Sequence, residues 1–195
     1  MFVQLVTDGL AVGGLYALTA VGVVVVFRNT RTINLAQGDF AMMGAFIALL
    51  LLKGLGLHYL ATVAITVIAV MGIGVITERI VMRPLADSDW LILFHATLGV
   101  YFILHGVAGL LWGRDTKSFP ITFDTTPVDF LGAAISKGHL INVSWTIGIG
   151  VVLFLFFKYT RQGIALRAVT DDPEAARMMG IPVRFIVMLT WAVAG

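Results

Sequence analysis

The chain has 195 residues, 59% hydrophobic and 12% charged, with a net charge of +2, 21 Gly, 5 Pro and no Cys. Soluble domains run at about 45–50% apolar and about 25% charged, and a folded soluble chain of this size cannot hide the excess. The same figures exclude a disordered chain and a disulfide-stapled module, and the scattered basic residues give no footing for nucleic acid.

Charge-free stretches set the layout of a membrane protein. Gly9–Phe27, Gly54–Thr77, Trp90–Gly113 and Gly138–Phe157 carry no Asp, Glu, Lys or Arg, and each reaches the roughly 20 residues a helix needs to cross the hydrocarbon. Helices are the expected form, because backbone polar groups in lipid must be satisfied within the segment. The first stretch lacks a basic leader and is too long for a signal-peptide core, so it reads as a span. Phe40–Leu52 is short; it spans if its helix begins near residues 33–38, placing Asp39 close to an interface. The last run, Phe185–Gly195, reads as the start of a sixth helix cut by a fragment boundary. The expected fold is an all-α polytopic membrane bundle of five complete transmembrane helices plus that start, at about 5–27, 34–52, 57–78, 90–112, 139–157 and 185–195.

Basic residues orient such a bundle. With the N-terminus outside, nine fall on cytoplasmic loops: Arg28, Arg31, Arg79, Arg83, Lys158, Arg161, Arg167, Arg177 and Arg184. Four, Lys53, Arg114, Lys117 and Lys137, stay outside. A re-entrant 40–52 segment gives six inside against seven outside. The N-terminus is therefore expected outside, and 158–184 forms a cytoplasmic loop. Small residues four apart (Gly9, Gly13 and Ala17; Gly44 and Ala48; Gly109 and Gly113) are expected at helix contacts.

Catalytic parts are missing. The four histidines, His58, His95, His105 and His139, form no metal-ligand spacing, and His95 and His105 read as interhelical hydrogen-bonders. No nucleophile-elbow, zincin or phosphate-loop pattern occurs, so no metal or cofactor is implied and any nucleotide hydrolysis belongs to a partner.

Two polar clusters carry information. The first is Asn34-Leu35-Ala36-Gln37-Gly38-Asp39-Phe40. Either Asn34 or Asp39 caps the second helix, or Asn34, Gln37 and Asp39 line a polar path, since polar groups at membrane depth are costly. The second spans Arg161–Pro182. Asp171-Asp172-Pro173 opens a helix of about seven residues, with Glu174 three residues after Asp171 as in a capping box. Gly180 and Pro182 close it. It follows a basic amphipathic stretch, 163–169, and carries Met178 and Met179, suited either to docking on a partner or to lying on the membrane surface or packing on its own bundle.

Glu174-Ala175-Ala176 followed by Gly180 resembles the cytoplasmic EAA loop of bacterial ABC importer permeases. Gly13-Gly14-Leu15-Tyr16-Ala17-Leu18, Ile33–Phe40, Glu78–Leu85 and Ala165–Ala168 are similar, in order, to segments of branched-chain amino-acid permeases of the LivH type. Thr190-Trp191-Ala192-Val193 replaces the Ile-x-Leu-Pro of the wider EAA pattern. The resemblance implies a multi-pass permease subunit in a bacterial inner membrane, importing branched-chain or related amino acids by alternating access. It also implies a second permease subunit, ABC ATPases and a periplasmic binding protein as partners. Glu174, Ala175, Ala176, Met178, Met179 and Gly180 would couple to the ATPase, and Asn34, Gln37 and Asp39 would border the pathway. Family members for urea and short amides are built alike. An ion-coupled transporter or channel would need ionisable residues in mid-span, and the charge-free stretches supply none.

Overall fold

The computed structural model describes residues 2–113, 115–119, 127–130 and 133–195. Eight helices and one hairpin are present among them: α1 (Phe2–Thr30), α2 (Gln37–Leu49), α3 (Tyr59–Thr77), α4 (Trp90–Trp112), β1 (Pro127–Phe130), β2 (Ala133–Ser136), α5 (Lys137–Tyr159), α6 (Arg161–Asp171), α7 (Pro173–Met178) and α8 (Val183–Ala194). Five helical stretches are long and apolar enough to cross a membrane: Leu5–Thr30, Gln37–Gly54, Tyr59–Leu85, Trp90–Trp112 and Leu140–Tyr159. The architecture is a polytopic helical bundle. The hairpin, with Val128 opposite Ile135, lies in the connection before α5.

Several boundaries differ from the sequence expectation for local reasons. α1 runs on to Thr30 because the Asn29 and Thr30 side chains donate back to the Val25 and Val26 carbonyls at 3.2 and 2.9 Å. Arg31 then takes a positive φ of 54° and turns the chain. α2 starts at Gln37 rather than near 34, because residues 31–36 make an irregular turn that buries Thr32, Asn34 and Ala36 and leaves Arg31, Ile33 and Leu35 exposed. Past Leu49, α2 continues as a π-helical turn, Leu50–Gly54, which brings its apolar stretch to 18 residues. The 158–184 segment is not an open loop, since α6 and α7 occupy most of it.

A second π turn, Glu78–Met82, extends α3. Its Arg83 N–H bonds to the Glu78 carbonyl, an i→i+5 closure. That widened turn stacks residue 83 over residue 78, which a regular helix would leave about 140° apart at 100° per residue. The Arg83 guanidinium is thereby placed two-pronged on the Glu78 carboxylate, at 3.1 and 3.0 Å. Glu78 is 2% exposed, and a buried carboxylate without such a partner would be heavily penalised.

The core holds Val26, Phe40, Met43, Val70, Val100, Leu104 and Trp191. α8 seats its Trp191 backbone directly on Gly74 of α3. α2 packs on α3 through Gly44, which faces Val70 and Thr66. α5 buries none of its apolar window and leans on α1 where Gly14 meets Thr146. The small-residue expectation is therefore corrected. Gly44 is a packing site, whereas Gly9, Gly13, Gly109 and Gly113 face open space, and close approaches fall instead at Gly14, Gly22, Gly74 and Gly163. Spacing alone marks a smooth helix face; it does not say that another helix lies on it.

A test follows from α3. A Cβ at Gly74 would strike the Trp191 carbonyl, while one at Gly72 meets nothing within 4 Å. Gly74→Ala is expected to cost about 1–3 kcal/mol through overpacking. Gly72→Ala should be neutral or gain up to about 1 kcal/mol from helix propensity. Thermal unfolding of the purified protein in detergent checks this, and equal midpoints for the two variants would contradict the packing.

Candidate functional site

The first site grows from the turn between α1 and α2. Thr32, Asn34 and Ala36 are 2%, 3% and 0% exposed, so this irregular backbone cannot rely on water and must be bonded by the protein. Asn34 does much of that. Its Oδ1 accepts from the Ala36 N–H at 3.1 Å, and its Nδ2 donates to Gln37 Oε1 at 3.1 Å. The Thr97 hydroxyl on α4 accepts from the Leu35 N–H at 3.3 Å, donates to the Phe94 carbonyl at 2.8 Å and lies 3.2 Å from the Ile33 carbonyl. Gln37 Nε2 donates to the Ala194 carbonyl of α8 at 2.6 Å. Gly22 of α1 makes room for it, since a Cβ there would sit 2.7 Å from the same nitrogen.

Neither Asn34 nor Asp39 caps α2. The N-cap residue is Ala36, whose methyl side chain cannot accept from the first-turn N–H groups, and Asn34 bonds the Ala36 N–H, not the first turn. Asp39 turns away to His105 of α4, with Oδ1 3.2 Å from Nδ1. The expectation that Asp39 lies at an interface is also corrected. α2 and α4 run in the same direction, with Leu35 beside Thr97 and Phe46 stacked on Trp112 at 5.1 Å. His105 is about 10 Å along the helix from Trp112 and about 22 Å from Trp90 at 1.5 Å per residue. Asp39 therefore sits well inside the span of α4, and an ionisable pair does occupy the bundle. His105 makes the interhelical bond expected of it. His95 does not, since its Nδ1 contacts the Leu91 carbonyl of its own helix at 2.7 Å.

The second site is the α6–α7 corner. α6 opens on Thr160, whose hydroxyl accepts from the Gly163 N–H at 3.0 Å, and it buries Gly163, Leu166 and Val169. Gly163 sits against the Phe156 carbonyl and Phe157 backbone, so α6 can fold tightly under α5. The N-cap of α7 is Asp172 rather than Asp171, which closes α6. Pro173 pushes the preceding residue to extended backbone, and Asp172, at φ −150° and ψ 101°, complies. Its Oδ1 accepts from the Glu174 and Ala175 N–H groups at 2.9 and 3.0 Å. The capping-box register is thus shifted by one residue, and α7 has 6 residues, not about seven. Gly180 ends the corner at φ 81°, a conformation glycine adopts freely. Ala176 is 2% exposed and holds α7 against Leu166, Val169 and Ile186. Glu174 is exposed, and Met178 and Met179 are 85% and 83% exposed. A rigid backbone thus presents a soft apolar tip.

The structure brings Asn34 and Gln37 into one network and Glu174–Gly180 onto one corner. Thr97, His105 and the Glu78–Arg83 pair were not singled out as site residues from sequence. Glu78 and Arg83 are five apart, a spacing that regular helices do not pair. Thr97 gives no sequence signal at all.

Comparison with known proteins places the chain. A family model described as branched-chain amino acid transport system / permease component matches residues 5–195. The chain belongs to that family. It is 30% identical over 98% of its length to the high-affinity branched-chain amino acid transport system permease protein BraD of Pseudomonas aeruginosa, covering 66% of that protein. It is 28% identical, again over 98% of its length and 66% of the relative, to the LivH permease protein of Escherichia coli. The fructose import permease protein FruG of Bifidobacterium longum is 27% identical over 84% of this chain and 49% of its own length. The chain therefore spans about two-thirds or less of these relatives. No solved structure matches it.

The cap of α7 is testable within this family member. Asp172→Ala is expected to destabilise α7 by about 0.5–2 kcal/mol and to speed amide hydrogen exchange at Glu174 and Ala175. Asp171→Ala should leave those amides protected. Faster exchange in the Asp171 variant alone would return the cap to Asp171.

Proposed function

We propose that this chain belongs to the membrane-spanning subunit of an ATP-driven importer for branched-chain or related amino acids. The family match over residues 5–195 carries the reading. The subunit would work by alternating access, in which ATPase closure displaces the α6–α7 corner and tilts the helices packed on it. It breaks no bond in its substrate. Hydrolysis falls to separate ABC ATPases, and a second permease subunit and a periplasmic binding protein complete the assembly in the inner membrane of a bacterium.

Residues take roles on this reading. Glu174, Ala175, Met178, Met179 and Gly180 form the ATPase-facing corner, while buried Ala176 ties it to the bundle. The exposure of the two methionines supports this, because flexible thioether side chains conform to a partner groove. Asn34 and Gln37 tie the α1–α2 turn to α2 and α8, and Thr97 ties it to α4, the contacts that a tilting motion has to carry. Asp39 borders the pathway.

Orientation follows from the basic residues, nine of which fall on one side. Ser118 and Gln162 are both exposed, and single cysteines there, in a chain without native cysteine, report the side. An impermeant reagent applied to whole cells is expected to label Ser118→Cys and to spare Gln162→Cys. The reverse pattern would invert the topology.

Coupling is tested in the full-length subunit. Glu174→Lys reverses a helix-dipole term of about 0.3–1 kcal/mol and alters the exposed face of α7. Gly180→Val costs about 1–2 kcal/mol in a left-handed conformation and misdirects the entry to α8. Both complexes are expected to assemble in the membrane and to lose stimulation of ATP hydrolysis by loaded binding protein. Normal stimulation in both would remove the coupling role from α7.

A further inference from the structure

The Asp39–His105 pair is lopsided. The Asp39 side chain is 7% exposed and that of His105 is 63% exposed, although the two touch at 3.2 Å. A pair that served only to fasten α2 to α4 would gain from sheltering both members. Here the carboxylate is sheltered and the imidazole is displayed. The contact to Asp39 occupies Nδ1 of His105, so Nε2 is left for a second partner. The ring of Tyr101 stacks on His105 at 5.6 Å with 28° between planes, which further fixes the direction of Nε2.

The location makes this display expensive in lipid. His105 lies well inside α4, and a polar nitrogen facing hydrocarbon there has nothing to bond. Its exposed neighbour Ile103, 61% exposed, is what a lipid-facing surface accepts, while Phe102, 64% exposed, lies about 60° from His105 and borders the histidine's own face. Ile103 is two residues away, about 160° around the helix from His105. His105 and Ile103 thus point to opposite sides of α4, and on the first of these a histidine is held out on a buried carboxylate.

We propose that His105 lines the aqueous translocation pathway and that its Nε2 hydrogen-bonds the charged main-chain groups of a passing amino acid, with Asp39 as the residue that positions the ring. This rests on the permease reading above for the identity of the solute, but the water exposure of this face of α4 does not. Zwitterionic main-chain groups need such contacts, because inside the bundle they lose the water that otherwise solvates them.

The test uses the full-length subunit in its assembled complex, with any cysteine beyond these residues replaced by serine. Single cysteines are placed at His105, at Tyr101 on the same face and at Ile103 on the other. Thiolates form and react where water reaches them, so an impermeant methanethiosulfonate is expected to modify His105→Cys and Tyr101→Cys at least about tenfold faster than Ile103→Cys. Leucine at saturation should slow both. Rates at 105 and 101 no faster than at 103 would overturn the pathway assignment, and the Tyr101 variant keeps the Asp39–His105 pair intact should His105→Cys misfold. In uptake, His105→Gln should retain most transport, because its amide restores a hydrogen-bonding group. His105→Leu should lose about tenfold at unchanged complex abundance. Asp39→Asn should raise the KM for leucine more than it lowers the maximal rate. Full uptake by His105→Leu would overturn the contact with solute. A wild-type complex that takes up no leucine would overturn the permease reading and the solute contact with it, whatever the labelling gives.

Discussion

Everything around the α1–α2 connection depends on one constraint: the turn at residues 31–36 is irregular backbone that buries Thr32, Asn34 and Ala36 in an apolar assembly. Helices satisfy their own peptide groups, and a turn does not. The protein meets the constraint by bringing Thr97 of α4 to Ile33 and Leu35 and folding the Asn34 amide back on Ala36 and Gln37. Those bonds set where α2 begins and how deep it begins. The position of Asp39 against His105 follows from that start, as does the reach of Gln37 past Gly22 to α8. A polar network of this kind, fully bonded, specifies one arrangement of four helices more sharply than apolar packing does.

Width changes in the helices solve a related problem. α3 carries a buried carboxylate at Glu78, and a regular helix would hold Arg83 on another face. The π turn rotates it back into contact. The pair borders a cleft of about 920 Å³ shared with Asn29, Asp87, Arg177 and Arg184. The bundle end and the α7 corner thus face each other across one polar-rimmed space.

Packing at the corner is economical. α6 turns closely under α5 because Gly163 admits the Phe156–Phe157 backbone, and α7 is anchored by one alanine and one carboxylate cap. The rest of α7 remains outward. An element so short has little stability of its own, and its order comes from Asp172, Pro173 and Gly180 at its ends.

Much was legible in the sequence because it depends on local chemistry. Apolar length in Gly54–Thr77 or Trp90–Gly113 predicts a span whatever its neighbours are, and Gly180 announces a left-handed helix end because other residues resist that conformation. The membership of the family was carried by motifs that survive as strings of letters, from Ile33–Phe40 to Glu174–Gly180. What the letters left open is decided by neighbours distant in the chain. Asp39 reads as an edge residue until α4 supplies His105, 66 positions away, and Gly9 and Gly74 are alike until α8 lands on one of them. The cap of α7 falls between these cases. Asp171 and Asp172 have the same chemistry, and only the distance to which α6 continues decides which carboxylate meets the free N–H groups. Span length and backbone preference belong to each segment alone, whereas depth, pairing and contact are properties of two segments together, and no single stretch of sequence contains both.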